Sequence, residues 1–99
     1  MTIRLLETAK NDLRKGFRFY EAQTRGLGYY FLDSIQTDVR SLSWYAGIHP
    51  KEKEFYRMLV KRFPFAVYYL INNSTVDVYA ILDCRRDPTW ISARLRPPL

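Results

Sequence analysis

The sequence has 99 residues but only one cysteine, Cys84, and one histidine, His49. A single cysteine excludes an internal disulfide framework, and together the two residues are too few for a zinc site, so we expect no metal or other cofactor. No run of about 18 apolar residues is present, and no segment is therefore predicted to span a membrane. The first residues lack the apolar core of a signal peptide, which predicts a cytoplasmic protein.

Acidic residues are also scarce. Ten Asp and Glu residues stand against 16 Lys and Arg residues, which gives a formal net charge of +6. This excess favours an acidic partner such as nucleic acid, an anionic membrane or an acidic protein segment. Apolar residues make up 47% of the chain, a share that a disordered chain would not reach. Because the length is typical of one domain, we predict a single domain over residues 1–99.

Two stretches carry apolar residues at helical spacing. A short strand over residues 3–6 is followed by a predicted helix of about four turns that Thr8 caps. A second helix is predicted to end near residues 44–46, and Gly26 and Gly28 between the two helices indicate a tight turn, hence a helical hairpin. The apolar stripes consist of Ala9, Leu13, Phe17 and Tyr20 in the first helix, and of Leu27, Phe31, Ile35, Val39 and Leu42 in the second.

From Glu54 the apolar period changes to that of β-strands. Strands are predicted over residues 55–62, 65–71 and 75–83, with the asparagines at 72 and 73 in a hairpin turn. Residues 87–95 are expected to form one helical turn, and residues 96–99 are expected to fray. The predicted order is β-α-α-β-β-β, an α+β fold in which the helical hairpin packs on one face of an antiparallel-rich sheet.

The predicted sheet is apolar on both faces. If the helices cover the valine-rich face, the opposite face leaves an apolar patch exposed, which is typical of a protein-binding surface. One alternative is that a terminal segment folds over this patch, and another is that the two faces are reversed. The patch consists of Leu59, Tyr68, Leu70, Tyr79 and Ile81.

No phosphate-binding glycine loop and no nucleophile elbow is present. RNA cleavage needs neither, because the 2′-hydroxyl can attack when a base removes its proton and cations stabilise the transition state. Arg57, Lys61 and Arg85 are the candidate cations, although no acid–base pair accompanies them. The competing interpretation is a solvated or partner-facing basic rim. His49 is expected to be solvated, and Cys84 is expected to be an ordinary thiol.

Three groups of residues resemble the RelE/ParE toxin superfamily. The first lies in the predicted helical hairpin, with AKNDL at 9–13, FYE at 19–21, GLG at 26–28 and FL at 31–32. The second is KRFPF at 61–65, followed by Tyr69, and the third is AILDCRRDP at 80–88, followed by Trp90. The matches span nearly the whole chain in the order that the family shows.

The resemblance implies the toxin of a type II toxin–antitoxin module. In this family a partly disordered antitoxin wraps the toxin and places a helix or strand on its sheet and helical hairpin. The implied partner is therefore a cognate antitoxin, which the net positive charge predicts to be acidic. The resemblance also assigns the apolar patch to antitoxin contact.

The family has two branches with different targets. The RelE-like branch cleaves messenger RNA on the ribosome with basic residues and a C-terminal tyrosine, whereas the ParE-like branch poisons DNA gyrase. The Phe-Pro-aromatic step and the Arg-Arg-Asp-Pro segment look ParE-like, and no tyrosine follows Tyr79. Asp83-Cys84 stand where many relatives have His-Gly, and a carboxylate there would repel an RNA phosphate.

We therefore expect a ParE-like gyrase inhibitor, with a RelE-like, ribosome-dependent endoribonuclease as the alternative. The residues expected to contact the target are Arg85, Arg86, Trp90 and Arg94, as charged and aromatic anchors. In the competing interpretation they form a salt-bridged cap with Trp90 plugging the core. A basic nucleic-acid-binding module is a third possibility, but no recognition helix supports it.

Overall fold

A computed structural model describes residues 1–96. The order of its elements matches the predicted β-α-α-β-β-β, with two short helices and one short strand in addition. The expected fraying at residues 97–99 lies outside the described residues. The elements are β1 (Thr2–Leu5), α1 (Glu7–Gln23), α2 (Leu27–Arg40), α3 (Leu42–Tyr45), β2 (Lys51–Glu52), β3 (Phe55–Leu59), β4 (Phe65–Asn72), β5 (Thr75–Asp83) and α4 (Pro88–Arg94).

The five strands form one sheet in the order β1-β5-β4-β3-β2. β1 runs parallel to β5, and every other pair is antiparallel. The predicted bounds of β5 are confirmed, whereas β3 ends at Leu59 and not at residue 62. The turn between β4 and β5 places Asn73 at a φ of 55°, the left-handed conformation that asparagine tolerates.

The helices α1 and α2 pack side by side on one face of the sheet and bury the predicted stripes. Leu13 and Tyr20 of α1 and Phe31 and Ile35 of α2 are buried against the valines of β4 and β5. The expected cap at Thr8 is wrong. Leu6 occupies the N-cap position, because α1 begins two residues earlier than a cap at Thr8 requires, and the Thr8 hydroxyl donates instead to the Tyr79 carbonyl at 2.6 Å.

A β-bulge at Tyr79 changes which face of the sheet the following side chains of β5 point to. Tyr68 pairs with Ala80 and Tyr69 pairs with Val78, so Tyr79 has no partner on β4. After the bulge Ile81 lies in the core beneath the helices, while Ala80 and Leu82 face the opposite side. The prediction that Ile81 lies on the open face is therefore wrong, because it assumed strict alternation through the whole strand.

The second face of the sheet is covered by α4. Ile91 of α4 and Leu95 at its C-cap pack against Phe55, Tyr68 and Leu82, together with two alanines, and form a second apolar core. The structure therefore realises the alternative in which a later segment folds over this face.

The expected exposure of the apolar patch is accordingly wrong for two of its five members. Tyr68 and Ile81 are each 1% exposed. Leu70 and Tyr79 are half-buried, and only Leu59, at 61%, is widely exposed. No continuous apolar patch formed by these five side chains is open to a partner.

Candidate functional site

The short helix α4 positions the aromatic and basic residues near the end of the described chain. Asp87 caps its first turn, since the carboxylate accepts from the Thr89 N–H at 2.7 Å, and Pro88 follows as the first helical residue. Ile91 faces the second core, which leaves Trp90 half-buried and Arg94 directed at α1.

Arg94 is held by a buried carboxylate. Its Nη1 and Nη2 donate to the Asp12 carboxylate at 2.7 and 2.9 Å, and the Ile81 N–H donates to the same group at 3.0 Å. The Asp12 side chain is only 5% exposed, so a charge of this kind requires such partners. This pair joins α4 to both α1 and β5.

Arg86 stacks on Trp90. The centre of its guanidinium lies 3.7 Å from the centroid of the indole, and that of Arg94 lies 5.7 Å from it. Such cation–π contacts stabilise the side chains by about 0.5–1 kcal/mol at exposed sites. Arg86 itself is exposed, so the Arg86–Trp90 pair presents a positive charge beside an aromatic ring.

Arg85 is engaged by its neighbour Asp83. The guanidinium donates to the two carboxylate oxygens at 3.0 and 2.7 Å, and the Arg85 N–H adds a third bond at 2.9 Å. These hydrogen bonds, with the nearby positive charge, lower the pKa of Asp83. The Asp83 carboxylate is thus paired within the chain, which weakens the argument that it would repel a phosphate.

Three of the four residues expected to contact the target line one groove between α1 and α4. The groove has a volume of about 450 Å³, and Arg85 pairs with Asp83 at its border. The salt bridges that the competing interpretation expects are present for Arg85 and Arg94. The groove is lined by Lys15, Gly16, Phe19, Arg86, Trp90 and Arg94, among others.

A second groove lies between the two helices of the hairpin and reaches the end of β1, and the sequence pattern did not predict it. Its volume is about 560 Å³; its floor is apolar and its rim is basic. Phe17, expected in the core, is half-buried here and contacts Tyr29 edge-to-face at 4.9 Å. The signal in the sequence is a basic residue every four positions, at Lys10, Arg14 and Arg18. The apolar lining consists of Leu5, Leu13, Phe17, Tyr29 and Leu32.

The three candidate cations for RNA cleavage have separate partners. Arg57 is half-buried, and its Nε lies 3.3 Å from the Tyr68 hydroxyl, a hydrogen bond that raises the pKa of Arg57. Lys61 lies on the loop after β3, where its N–H donates to Asp38 of α2. Arg85 is bound to Asp83. Arg57 also donates to the Cys84 sulfur at 3.5 Å, so it lies beside the segment that carries Arg85.

His49 is half-buried and not solvated as expected. Its Nδ1 lies 2.5 Å from the hydroxyl of the buried Tyr69, which also accepts from the Gly47 N–H at 2.9 Å. Burial lowers the pKa of His49 and raises that of Tyr69.

No protein-family model matches the sequence, and no curated protein matches it either. The fold, in contrast, is similar to that of a chain in the solved structure of the chromosomal ParDE TA system from P. aeruginosa. The TM-score is 0.72, the sequences are 17% identical, and the match covers 82% of this chain and 92% of that one. The fold is RelE/ParE-like.

This structural similarity is independent of the sequence pattern, and it confirms the predicted fold class. In this RelE/ParE-like fold the helical hairpin packs on one face of the five-stranded sheet. The helix α4 covers the other face. Within residues 1–96 no helix has both the length and the apolar character to cross a bilayer. Both grooves described above border α1 of this fold.

Proposed function

We propose that the protein is the toxin component of a type II toxin–antitoxin module, that it inhibits DNA gyrase through protein contacts, and that a cognate antitoxin neutralises it. The fold likeness to a chain of a ParDE TA system carries this proposal. The Phe-Pro-aromatic step at 63–65 and the Arg-Arg-Asp-Pro segment at 85–88 support the ParE-like branch. The proposed toxin acts as one domain in the cytoplasm.

The target surface of the proposed toxin is α4 and the turn before it. Arg85, Arg86 and the half-buried Trp90 form its accessible part, and the ion pair of Arg94 with Asp12 holds α4 in place beneath them. Since these side chains are already ordered by contacts within the chain, little conformational entropy is lost when a partner binds.

The antitoxin surface is proposed to lie mainly on the hairpin groove. The sheet face that was predicted to contact the antitoxin is largely covered by α4. An acidic amphipathic segment fits the groove, since its apolar side would cover Leu13, Phe17 and Leu32 while carboxylates meet Arg14 and Arg18. Leu59, Leu70 and Tyr79 retain exposed surface and stay predicted as further antitoxin contacts.

Induced expression in a bacterium, with gyrase supercoiling and translation measured separately, tests the proposed target. Loss of supercoiling while translation continues is the expected result, and Arg86→Ala or Trp90→Ala should restore supercoiling. Arg25→Ala, an exposed residue of the turn between α1 and α2, is the matched control and should leave inhibition intact. Arrest of translation with supercoiling unchanged would contradict the gyrase proposal.

That contrary result would favour the alternative, a ribosome-dependent messenger RNA endoribonuclease. In that case replacement of Arg57 or Arg85 by alanine should abolish RNA cleavage while antitoxin binding survives. The nuclease has less support than protein binding, because the Arg85 guanidinium is already paired with the Asp83 carboxylate.

A further inference from the structure

The groove between α1 and α4 combines apolar walls with an open mouth. Phe19 on α1 is 54% exposed although it is a large aromatic residue, and it lines the groove together with Trp90 on α4. Gly16 lies in the wall, and Phe65 and Leu82 contribute apolar surface from the sheet. A single apolar side chain from a partner would find the exposed ring of Phe19 and apolar surface from the sheet in this groove.

The charges around the groove do not cancel. Its two carboxylates, on Asp12 and Asp83, are each engaged by an arginine. Lys15 and Arg86 also line the groove, and no carboxylate within residues 1–96 lies within salt-bridge distance of either side chain. Four cations, Lys15, Arg85, Arg86 and Arg94, therefore stand against two carboxylates at the groove and its border, and this net positive charge attracts an acidic ligand.

The arrangement around Trp90 disfavours a nucleic acid as this ligand. Single-stranded nucleic acid binds through bases that stack on exposed aromatic faces. Here the guanidinium of Arg86 already covers the indole at 3.7 Å, and that of Arg94 is 5.7 Å from its centroid. A base would have to displace Arg86, whereas a carboxylate can bind the same guanidinium where it lies.

We infer that this groove binds an acidic peptide segment of the target protein. The segment places one apolar side chain against the exposed ring of Phe19 and presents carboxylates to Lys15 and to the Arg86 guanidinium that covers Trp90. The inference rests on the proposed function, because it assigns a ligand chemistry to the target surface of the proposed toxin.

A fluorescein-labelled glutamate-rich peptide with one central phenylalanine is the probe. Trp44 is replaced by phenylalanine, so that Trp90 is the one remaining tryptophan and its fluorescence reports binding at the groove. The probe should bind saturably and change the Trp90 emission. Replacement of its phenylalanine by alanine should weaken binding about tenfold, because the apolar surface that the ring buries in the groove is lost.

The double substitution K15E/R86E should weaken binding about tenfold or more, because it replaces two attractive charges with repulsive ones. R25E/R62E makes the same change in net charge at exposed positions away from the groove and should bind as the parent does. Thermal unfolding establishes that each variant is folded, and K15A/R86A replaces K15E/R86E if the latter is not.

Three results would overturn the inference: equal binding of the probe by K15E/R86E, no change in Trp90 emission, or tighter binding of a single-stranded oligonucleotide at the same residues. The gyrase assay separates this inference from the proposed function. If K15E/R86E loses the probe but still inhibits supercoiling, the groove is not the target contact, although the toxin proposal stands. If the parent binds the probe but does not affect supercoiling, the proposed function fails while the ligand chemistry of the groove stands.

Discussion

Asp12 and Arg94, which are 82 residues apart, form a bidentate ion pair that fixes α4 against α1. The same carboxylate accepts the N–H of Ile81, so that one buried group connects a helix of the hairpin, the bulged strand and the cover of the second core. The position of the proposed target surface thus depends on a contact that lies beneath it.

Replacement of Arg94 by alanine should lower the free energy of unfolding by about 3 kcal/mol, because it leaves the Asp12 carboxylate buried without its cation. Urea unfolding followed by circular dichroism measures this change. Arg14→Ala, on the exposed side of the same α1 helix, should cost less than about 0.5 kcal/mol. Equal stability of the two variants would show that the ion pair does not hold α4.

Replacement of Gly28 by alanine should destabilise the helical hairpin by about 1–3 kcal/mol. A Cβ at this position would lie 2.8 Å from the Phe17 carbonyl oxygen, and backbone cannot move aside as a side chain can. Thermal unfolding measures the loss, with Gln23→Ala at the exposed end of α1 as the control. An unchanged Tm for Gly28→Ala would mean that the helices separate at little cost.

Replacement of Ser34 by alanine should leave stability unchanged or raise it by up to about 1 kcal/mol. Among residues 1–96 its hydroxyl is the one buried side-chain polar group without a hydrogen-bond partner, and an unsatisfied group of this kind is costly to bury. Ser41→Ala should instead destabilise by about 1 kcal/mol, since that hydroxyl donates to the Asp38 carbonyl at 2.6 Å. Chemical denaturation compares the two, and a clear loss for Ser34→Ala would contradict this account.

His49 should make stability depend on pH in the weakly acidic range. Burial lowers its pKa in the folded state, so the unfolded chain binds the proton more readily. The contribution is fully present above the unfolded pKa of about 6.5 and is lost as the pH falls through the folded pKa. Tm should therefore fall between pH 7.5 and about pH 5.5, and this fall should be smaller in His49→Asn. The same slope in both proteins would exclude His49 as its source.

The sequence predicts the helices and strands well where one periodic pattern runs without interruption. The stripe from Phe31 to Leu42 is buried as its spacing indicates, and the bounds of β5 agree with its alternating residues. The bulge at Tyr79 could not be predicted, because the residues after it are apolar on both faces of the strand. Either Ile81 or Ala80 and Leu82 could point to the helices without exposing a polar residue to the core.

Contacts between distant segments could not be predicted in the same way. The residues 87–95 were expected to form a helical turn, but a helix of seven residues has too little periodicity to show which surface it covers. For this reason no local sequence pattern predicts that α4 buries Tyr68 or that Asp12 pairs with Arg94. The candidate residues of α4 were identified individually, whereas their groove depends on α1.

The pairing of β1 with β5 imposes an order on folding during synthesis. Arg4 of β1 pairs with Asp77 of β5, 73 residues later, so this edge of the sheet cannot close until β5 has been translated and has left the ribosome. Contacts of such long range are slow to form. The groove beside α4 needs residues beyond β5 as well, so a nascent chain would complete its proposed target surface only after translation of α4.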